Sequence, residues 1–225
     1  MFLREPMFEL ARKWAYFLNG RIESILTTVP LTFGWGNAIG IAGVATRLSS
    51  RGSGLANDLL KEVLRQSALR NEGPALLFAK RTELYEAAGF RLMDRVVRAP
   101  IESSGGEAIP GVLSMDEVVQ IYNDWSLSHP NRLRRGEQRW NYWKWNLRIC
   151  SPFSSGYLCL EGPLIRECIL DDVVPKWPVH QGSEWVGLES MAQRLRIPIN
   201  DPHFELHLMG HGFDQPPQMF MTDQF

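Results

Sequence analysis

The stretch Gly43-Val44-Ala45-Thr46-Arg47-Leu48-Ser49-Ser50-Arg51-Gly52-Ser53-Gly54-Leu55-Ala56-Asn57 decides the fold of this chain. It begins in an apolar run, Ala38 to Thr46, that suits a strand, and it ends in a segment of helical spacing. Leu55, Leu59 and Val63 lie four apart, and so do Ala56, Leu60, Leu64 and Ala68. That periodicity predicts a helix over Leu55 to Arg70 with one broad apolar face. Between strand and helix lies a loop of small residues, whose backbone N–H groups are free at the positive end of the helix, where phosphate binds well. Gly52 and Gly54 have no side chain to hold a ligand off. On these residues alone the loop is either an anion cradle or a tight strand-to-helix turn. It is not a Walker loop, because no Gly-Lys-Ser/Thr follows, and Asn57 stands where a Gly-x-Gly-x-x-Gly motif has its third glycine.

On the N-terminal side, Trp14 to Leu18 and Ile22 to Thr28 flank Asn19-Gly20, a strong hairpin signal. On the C-terminal side, Gly73-Pro74 stops the helix and Ala75 to Ala79 reads as a strand buried on both faces. Thr82 is placed to cap a short helix that Gly89 ends, and Phe90 to Ile101 returns as a strand. Glu102 to Pro110 has linker composition. Beyond it, Ser114 and Glu117 form a capping box for a helix running to about Ser128. A Trp-rich helix is expected over Gly136 to Ile149, strands over Tyr157 to Leu160 and Ile165 to Leu170, a helix over Glu184 to Arg196, and a strand over Phe204 to Met209. The chain therefore divides into a core over 1–101, a linker over 102–111 and a smaller α+β unit over 112–225.

The spacing Arg51-x-x-Gly54-x-Ala56 resembles the pyrophosphate signature of the GNAT (GCN5-related) N-acetyltransferases. Leu84-Tyr-Glu-Ala-Ala-Gly-Phe90 resembles their second hallmark, a Tyr four residues before Gly-Phe, and helix, buried strand and short helix separate the two as in that family. The resemblance covers about Trp14 to Ile101. It implies an α+β GNAT acyltransferase fold, with a mixed, largely antiparallel sheet flanked by helices. It also implies a core opening at the family's second strand, without the usual first strand and two helices, about forty residues by ordinary element lengths.

The resemblance further implies acetyl-coenzyme A as co-substrate and an amine as acceptor. Arg51, Gly52, Ser53, Gly54, Leu55 and Ala56 would hold the pyrophosphate, and Val44, Ala45 and Thr46 the pantetheine arm and thioester. Tyr85 would protonate the departing thiolate. Taken by itself, Tyr85 reads equally as a core aromatic. The alternative to an enzyme is a catalytically silent acyl-coenzyme A-binding module.

Tyr122 to Pro130 and Arg134 to Trp140 more loosely resemble the segment that follows the core in Eis-like acetyltransferases, whose second GNAT-like domain has no cofactor site of its own. Those enzymes bring their C-terminus into the active site, so the carboxylate of Phe225 joins Glu23 and Glu205 as a candidate general base. The tail, Pro216 to Phe225, carries Met219, Phe220, Met221 and Phe225 and is expected to pack back on the protein. Phe220 completing a core while Phe225 stays loose is the other reading.

Two further patterns are weighed against blander ones. Arg132, Arg134, Arg135, Arg139, Lys144 and Arg148 interleave with Trp140, Tyr142, Trp143 and Trp145, a mix that could grip single-stranded nucleic acid. Trp140 and Trp143 share one helical face, however, and arginine stems often lie across such a face, so a packed helix is preferred. His203, Glu205, His207 and His211 alternate along a strand, but a half-buried strand with a polar side is preferred to a metal site.

Hydrophobic residues make up 44% and charged residues 22%, which supports a well-buried core. With 24 basic against 25 acidic residues there is no global pull toward nucleic acid or an anionic membrane. No apolar run reaches the roughly 20 residues of a membrane helix, and the start, rich in charge, is no signal peptide. Cys150, Cys159 and Cys168 make an odd, sparse set without a CxxC pair, which points to the reducing cytoplasm. Homo-oligomerisation is left open.

Overall fold

The computed structural model describes residues 6, 8–102, 111–146, 148–153, 156–170, 179 and 182–225. Nearly all of the expected linker thus lies outside the described residues. β1 (Arg12–Leu18) and β2 (Arg21–Phe33) form the expected hairpin, with Asn19 (φ 50°) and Gly20 (φ 75°) both left-handed at the turn. β2 runs on to pair antiparallel with β3 (Gly36–Thr46). The chain then enters α1 (Leu55–Leu69) and returns as β4 (Ala75–Ala79), parallel to β3. The short helix α2 (Glu83–Glu86) leads to β5 (Arg91–Pro100); Thr82 stands at its N-cap but makes no side-chain cap bond.

The second half begins with α3 (Met115–Leu127), opened by the complete Ser114–Glu117 capping box. β6 (Leu133–Arg134), α4 (Glu137–Trp145), β7 (Ile149–Phe153), β8 (Gly156–Glu161) and β9 (Leu164–Ile169) follow. Then come β10 (Glu184–Leu188), α5 (Glu189–Arg194) and β11 (His203–His211). Two expectations are corrected here. The Trp-rich helix stops at Trp145, and Ile149 already belongs to a strand. The helix expected from Glu184 is a strand up to Leu188 because β10 is paired on both sides, by β5 and β9. Gly187 is needed there, since a Cβ on it would lie 2.2 Å from the Trp185 indole.

All the strands join one sheet in the order β1-β2-β3-β4-β11-β5-β10-β9-β8-β7, with β6 against β2. β3–β4 and β10–β9 are parallel and the other pairs antiparallel, so the fold is α+β with a mixed, largely antiparallel sheet, as expected. β11, from the end of the chain, fills the place between β4 and β5. Period-2 alternation separates two cores. Ile39, Ile41, Ala75, Leu77 and Met209 pack with α1 residues Leu59, Leu60 and Val63 on one face. Ala38, Leu76 and Leu208 face the other way, into a larger core with Tyr122, Trp125, Trp140, Trp185 and Phe220.

Candidate functional site

The site is built where β3 parts from its neighbour. β4 pairs only with Ile39, Gly40 and Ile41, so Ala42 to Thr46 run past the last parallel bond. On the β2 side, Ile25 faces Ala45 while Thr27 faces Ala42, so three steps of β3 oppose two of β2. This bulge centres on Gly43 and Val44, and Gly43 takes φ 61° to make it. Val44, Ala45 and Thr46 line a groove of about 540 Å³ together with Ser50, Arg51, Gly52, Gly54, Leu55, Ala56 and Leu84. Of the residues predicted to hold the cofactor, only Ser53 is off this wall; its hydroxyl donates to the Ser50 carbonyl at 2.5 Å.

The loop leaves α1 open at its N-terminus. Gly54 is the N-cap at φ 83°, with no side-chain cap bond, and the first helical bond runs from the Asp58 N–H to the Gly54 carbonyl at 3.0 Å. The N–H groups of the first turn therefore point out of the helix unpaired within it, with the helix dipole behind them. Nothing lies within 4 Å of a Cβ built on Gly52 or Gly54, so the loop faces open space there.

β2 holds this loop from behind. Glu23, almost fully buried, accepts the Ser50 hydroxyl at 2.6 Å and pairs with Arg47 Nε at 3.3 Å. Its carbonyl takes the Arg47 N–H at 2.8 Å. Ser24 donates to the Ala45 carbonyl at 3.1 Å and meets the Thr46 hydroxyl at the same distance. Glu23, a candidate base by sequence, thus has both hydroxyl and guanidinium partners in the loop support.

Tyr85 sits on α2 beside the groove-lining Leu84, half-buried on the α1 face. Its ring meets Phe90 edge-on with centroids 6.3 Å apart. Burial raises its hydroxyl above the usual tyrosine pKa. Phe225 lies on the opposite face of the sheet. Its ring is 5.5 Å from that of Phe78 on β4, and a Cβ on Gly40 of β3 would lie 2.6 Å from it. The two candidate catalytic residues therefore flank the β3–β4 parting from opposite faces and do not touch. Glu205 is half-buried on β11 near the charge of Arg98.

The basic, aromatic stretch turns inward. Arg135 is fully buried and grips two carboxylates, Glu167 at 3.0 and 2.6 Å and Asp223 at 2.8 and 2.7 Å. Thr222, Tyr157 and Trp143 also donate to Glu167. Tyr122 and Trp140 flank the guanidinium, with ring centroids 3.7 and 4.7 Å away. Arg139 bonds the Asp223 carbonyl at 3.3 Å and the Pro30 carbonyl of β2 at 3.1 Å. Arg148 pairs with Glu161. Two arginines balance two carboxylates in a dry interior, and the set ties the tail to both halves of the sheet. The sequence displayed these arginines but not their partners, which come from β2, β8, β9 and the tail. Among the described residues no three His, Cys, Asp or Glu side chains gather to hold a metal ion.

A parted parallel strand pair, a bulge and a glycine loop at an uncapped helix make this the α+β fold of the GNAT proteins. Residues 1–93 match the family model described as an acetyltransferase (GNAT) domain, which bears out the resemblance read from the two motifs. No curated protein matches the chain. Among solved structures, a putative acetyltransferase from Pyrococcus horikoshii matches with TM-score 0.69 at 13% identity, over 96% of this chain and 80% of that one. A probable N-acyltransferase from Enterococcus faecalis matches with TM-score 0.63 at 13% identity, over 92% of this chain and 63% of the other. Eis1 from Mycobacterium abscessus matches with TM-score 0.58 at 11% identity, over 88% and 64%. The chain thus spans a little under two thirds of the last two proteins, and the likeness of fold runs through both of its halves.

Proposed function

We propose that this chain is an N-acetyltransferase that moves the acetyl group of acetyl-coenzyme A to an amine. The observation that carries the reading is the groove itself, a bulged free strand edge leading into an uncapped, glycine-lined helix N-terminus. A pyrophosphate suits the N–H groups of Gly52 to Ala56, with Arg51 and Ser53 beside them. The edge of Val44, Ala45 and Thr46 suits a pantetheine arm, and N–H groups near Val44 and Ala45 suit the oxyanion.

Placement on opposite faces gives the two catalytic candidates different tasks. The amine nitrogen attacks the thioester carbonyl, the C–S bond breaks, and the thiolate leaves toward the α1 face. Tyr85 gives that thiolate its proton. On the other face, the Phe225 carboxylate takes the proton that the amine loses. Residues 1–101 then supply the co-substrate platform, while 112–225 supply β11 and the tail. The buried free thiols of Cys150, Cys159 and Cys168 suit a cytoplasmic setting, and among the described residues no helix is long and apolar enough to cross a membrane.

Calorimetry with coenzyme A tests the reading. Gly54→Glu puts a side chain at φ 83° and a negative charge where phosphate would sit. The expected result is at least tenfold weaker coenzyme A binding, with thermal stabilisation by the ligand lost through linkage. Equal affinity in both proteins overturns the assignment of the loop.

A further inference from the structure

The groove is not the one cavity among the described residues. A pocket of about 600 Å³ lies at the opposite end of β3, walled by Trp35, Pro74, His129, Pro130, Asn131, Gly212, Phe213, Asp214 and Gln215. Trp35 immediately precedes β3 and Thr46 ends it, so about 30 Å of strand separates the two sites. No step proposed above uses the pocket.

Its floor is a fixed aromatic shelf. Phe33, fully buried, stacks on Trp35 with centroids 5.0 Å apart and planes within 7°. Phe213 meets the indole edge-on at 5.5 Å and 83°. With Phe33 covering one face of the indole, Trp35 is still 43% exposed. An aromatic side chain of this size left open beside a cavity, on buried supports, is a platform rather than a packing residue.

The rim is equally fixed. The Gly34 N–H donates to the Pro130 carbonyl at 2.8 Å, and a Cβ on Gly34 would lie 2.6 Å from the Pro130 Cα, so hairpin and loop meet at a glycine. Asn131 donates to the Gln215 amide oxygen at 2.9 Å, closing the rim across the cavity mouth. His129 Nδ1 accepts the Asn131 N–H at 3.1 Å, which leaves the ring proton on Nε2 as a donor. Asp214 is exposed and is the sole carboxylate in the wall among the described residues; the nearby Arg91 guanidinium donates to the Phe213 carbonyl and forms no ion pair with Asp214.

An open indole face carries the negative side of a ring quadrupole, and a carboxylate beside it carries a full negative charge. Both select a cation. The volume lies within the range of small-molecule sites. We propose that this pocket is a second ligand site, separate from the acetyl-transfer groove, for an organic ammonium cation with a flat or apolar body. The body lies on Trp35 and the ammonium faces Asp214.

The test is calorimetry on the full chain with phenethylammonium, against 2-phenylethanol as its neutral counterpart and 3-phenylpropionate as its anionic one. Saturable one-site binding is expected for the ammonium, at least tenfold weaker binding for the alcohol, and none for the acid. Asp214→Asn changes an exposed charge only, and it is expected to weaken ammonium binding at least tenfold while leaving Tm and coenzyme A binding unchanged. Trp35→Ala should weaken both the ammonium and the alcohol. Gly54→Glu should leave all three titrations as they are, which separates this site from the groove. Failure of the ammonium to saturate by about 10 mM, a Kd no better than that of a fragment without complementarity, overturns the proposal. Equal binding of the alcohol, or binding indifferent to Asp214→Asn, overturns it as well.

Discussion

At the scale of the residue, Tyr85 is set apart from an ordinary core aromatic by its place. It follows Leu84 of the groove wall and leans on Phe90, and burial raises the pKa of its phenol. Removing only its hydroxyl leaves that packing intact. Tyr85→Phe is expected to retain coenzyme A affinity while acetyl transfer at saturating substrate falls about tenfold or more, a modest general-acid effect. Steady-state turnover beside a coenzyme A titration checks this, and undiminished turnover would assign the proton to water. Residues of this kind were legible because their spacing is local: Arg51 to Ala56 and Tyr85 to Phe90 each span one turn of chain. Glu23 was legible as a carboxylate but not in its task, because Ser50 and Arg47 meet it across a strand pair that no local spacing reveals.

At the scale of the element, the tail shows how an irregular segment can be held as firmly as a helix. Met219, Phe220 and Met221 are buried, and Asp223 locks onto Arg135, so Phe225 reaches the β3–β4 parting on a short tether. Deleting Gln224 and Phe225 removes nothing from the buried charge set. The fold and coenzyme A binding should persist while acetyl transfer falls at least tenfold; full activity in the shortened protein would take the carboxylate out of the mechanism. The apolar tail was readable from composition alone, and its docking from the stability that burial brings. β10 was not readable. Glu184 to Leu188 is too short to set its own period, and its strand state comes from β5 and β9, far away in sequence. The overrun of α4 has the same origin, since β8 recruits Ile149 to Phe153.

At the scale of the whole molecule, one dry ionic cluster joins β9, α4, β2 and the tail. Burial alone would push the Glu167 carboxyl up, but the charge of Arg135 and the bonds from Arg135, Thr222 and Tyr157 outweigh it and hold the group below the ordinary carboxylate pKa. A depressed folded value means that the cluster stabilises the protein above the unfolded glutamate pKa of about 4.3, and that this contribution is lost as pH falls through the folded value. Tm should therefore drop steeply in that acid range. Glu167→Gln, which leaves Arg135 and Arg139 to share the one carboxylate of Asp223, is expected to destabilise the protein by about 3–5 kcal/mol at neutral pH and to flatten the acid limb. Chemical denaturation across pH checks both, and an unchanged acid limb would show that other carboxylates control it.

The position of β11 also has a bearing on biosynthesis. A nascent chain that has emerged only as far as β10 holds the glycine loop and α1, but β4 and β5 wait with facing edges unpaired until Met209 arrives opposite Leu77. Such edges invite mispairing while translation continues. The groove between β3 and α1 should accordingly mature only after β11 has emerged, and a chaperone that shields bare strands during synthesis would raise the yield of folded protein more than its final stability.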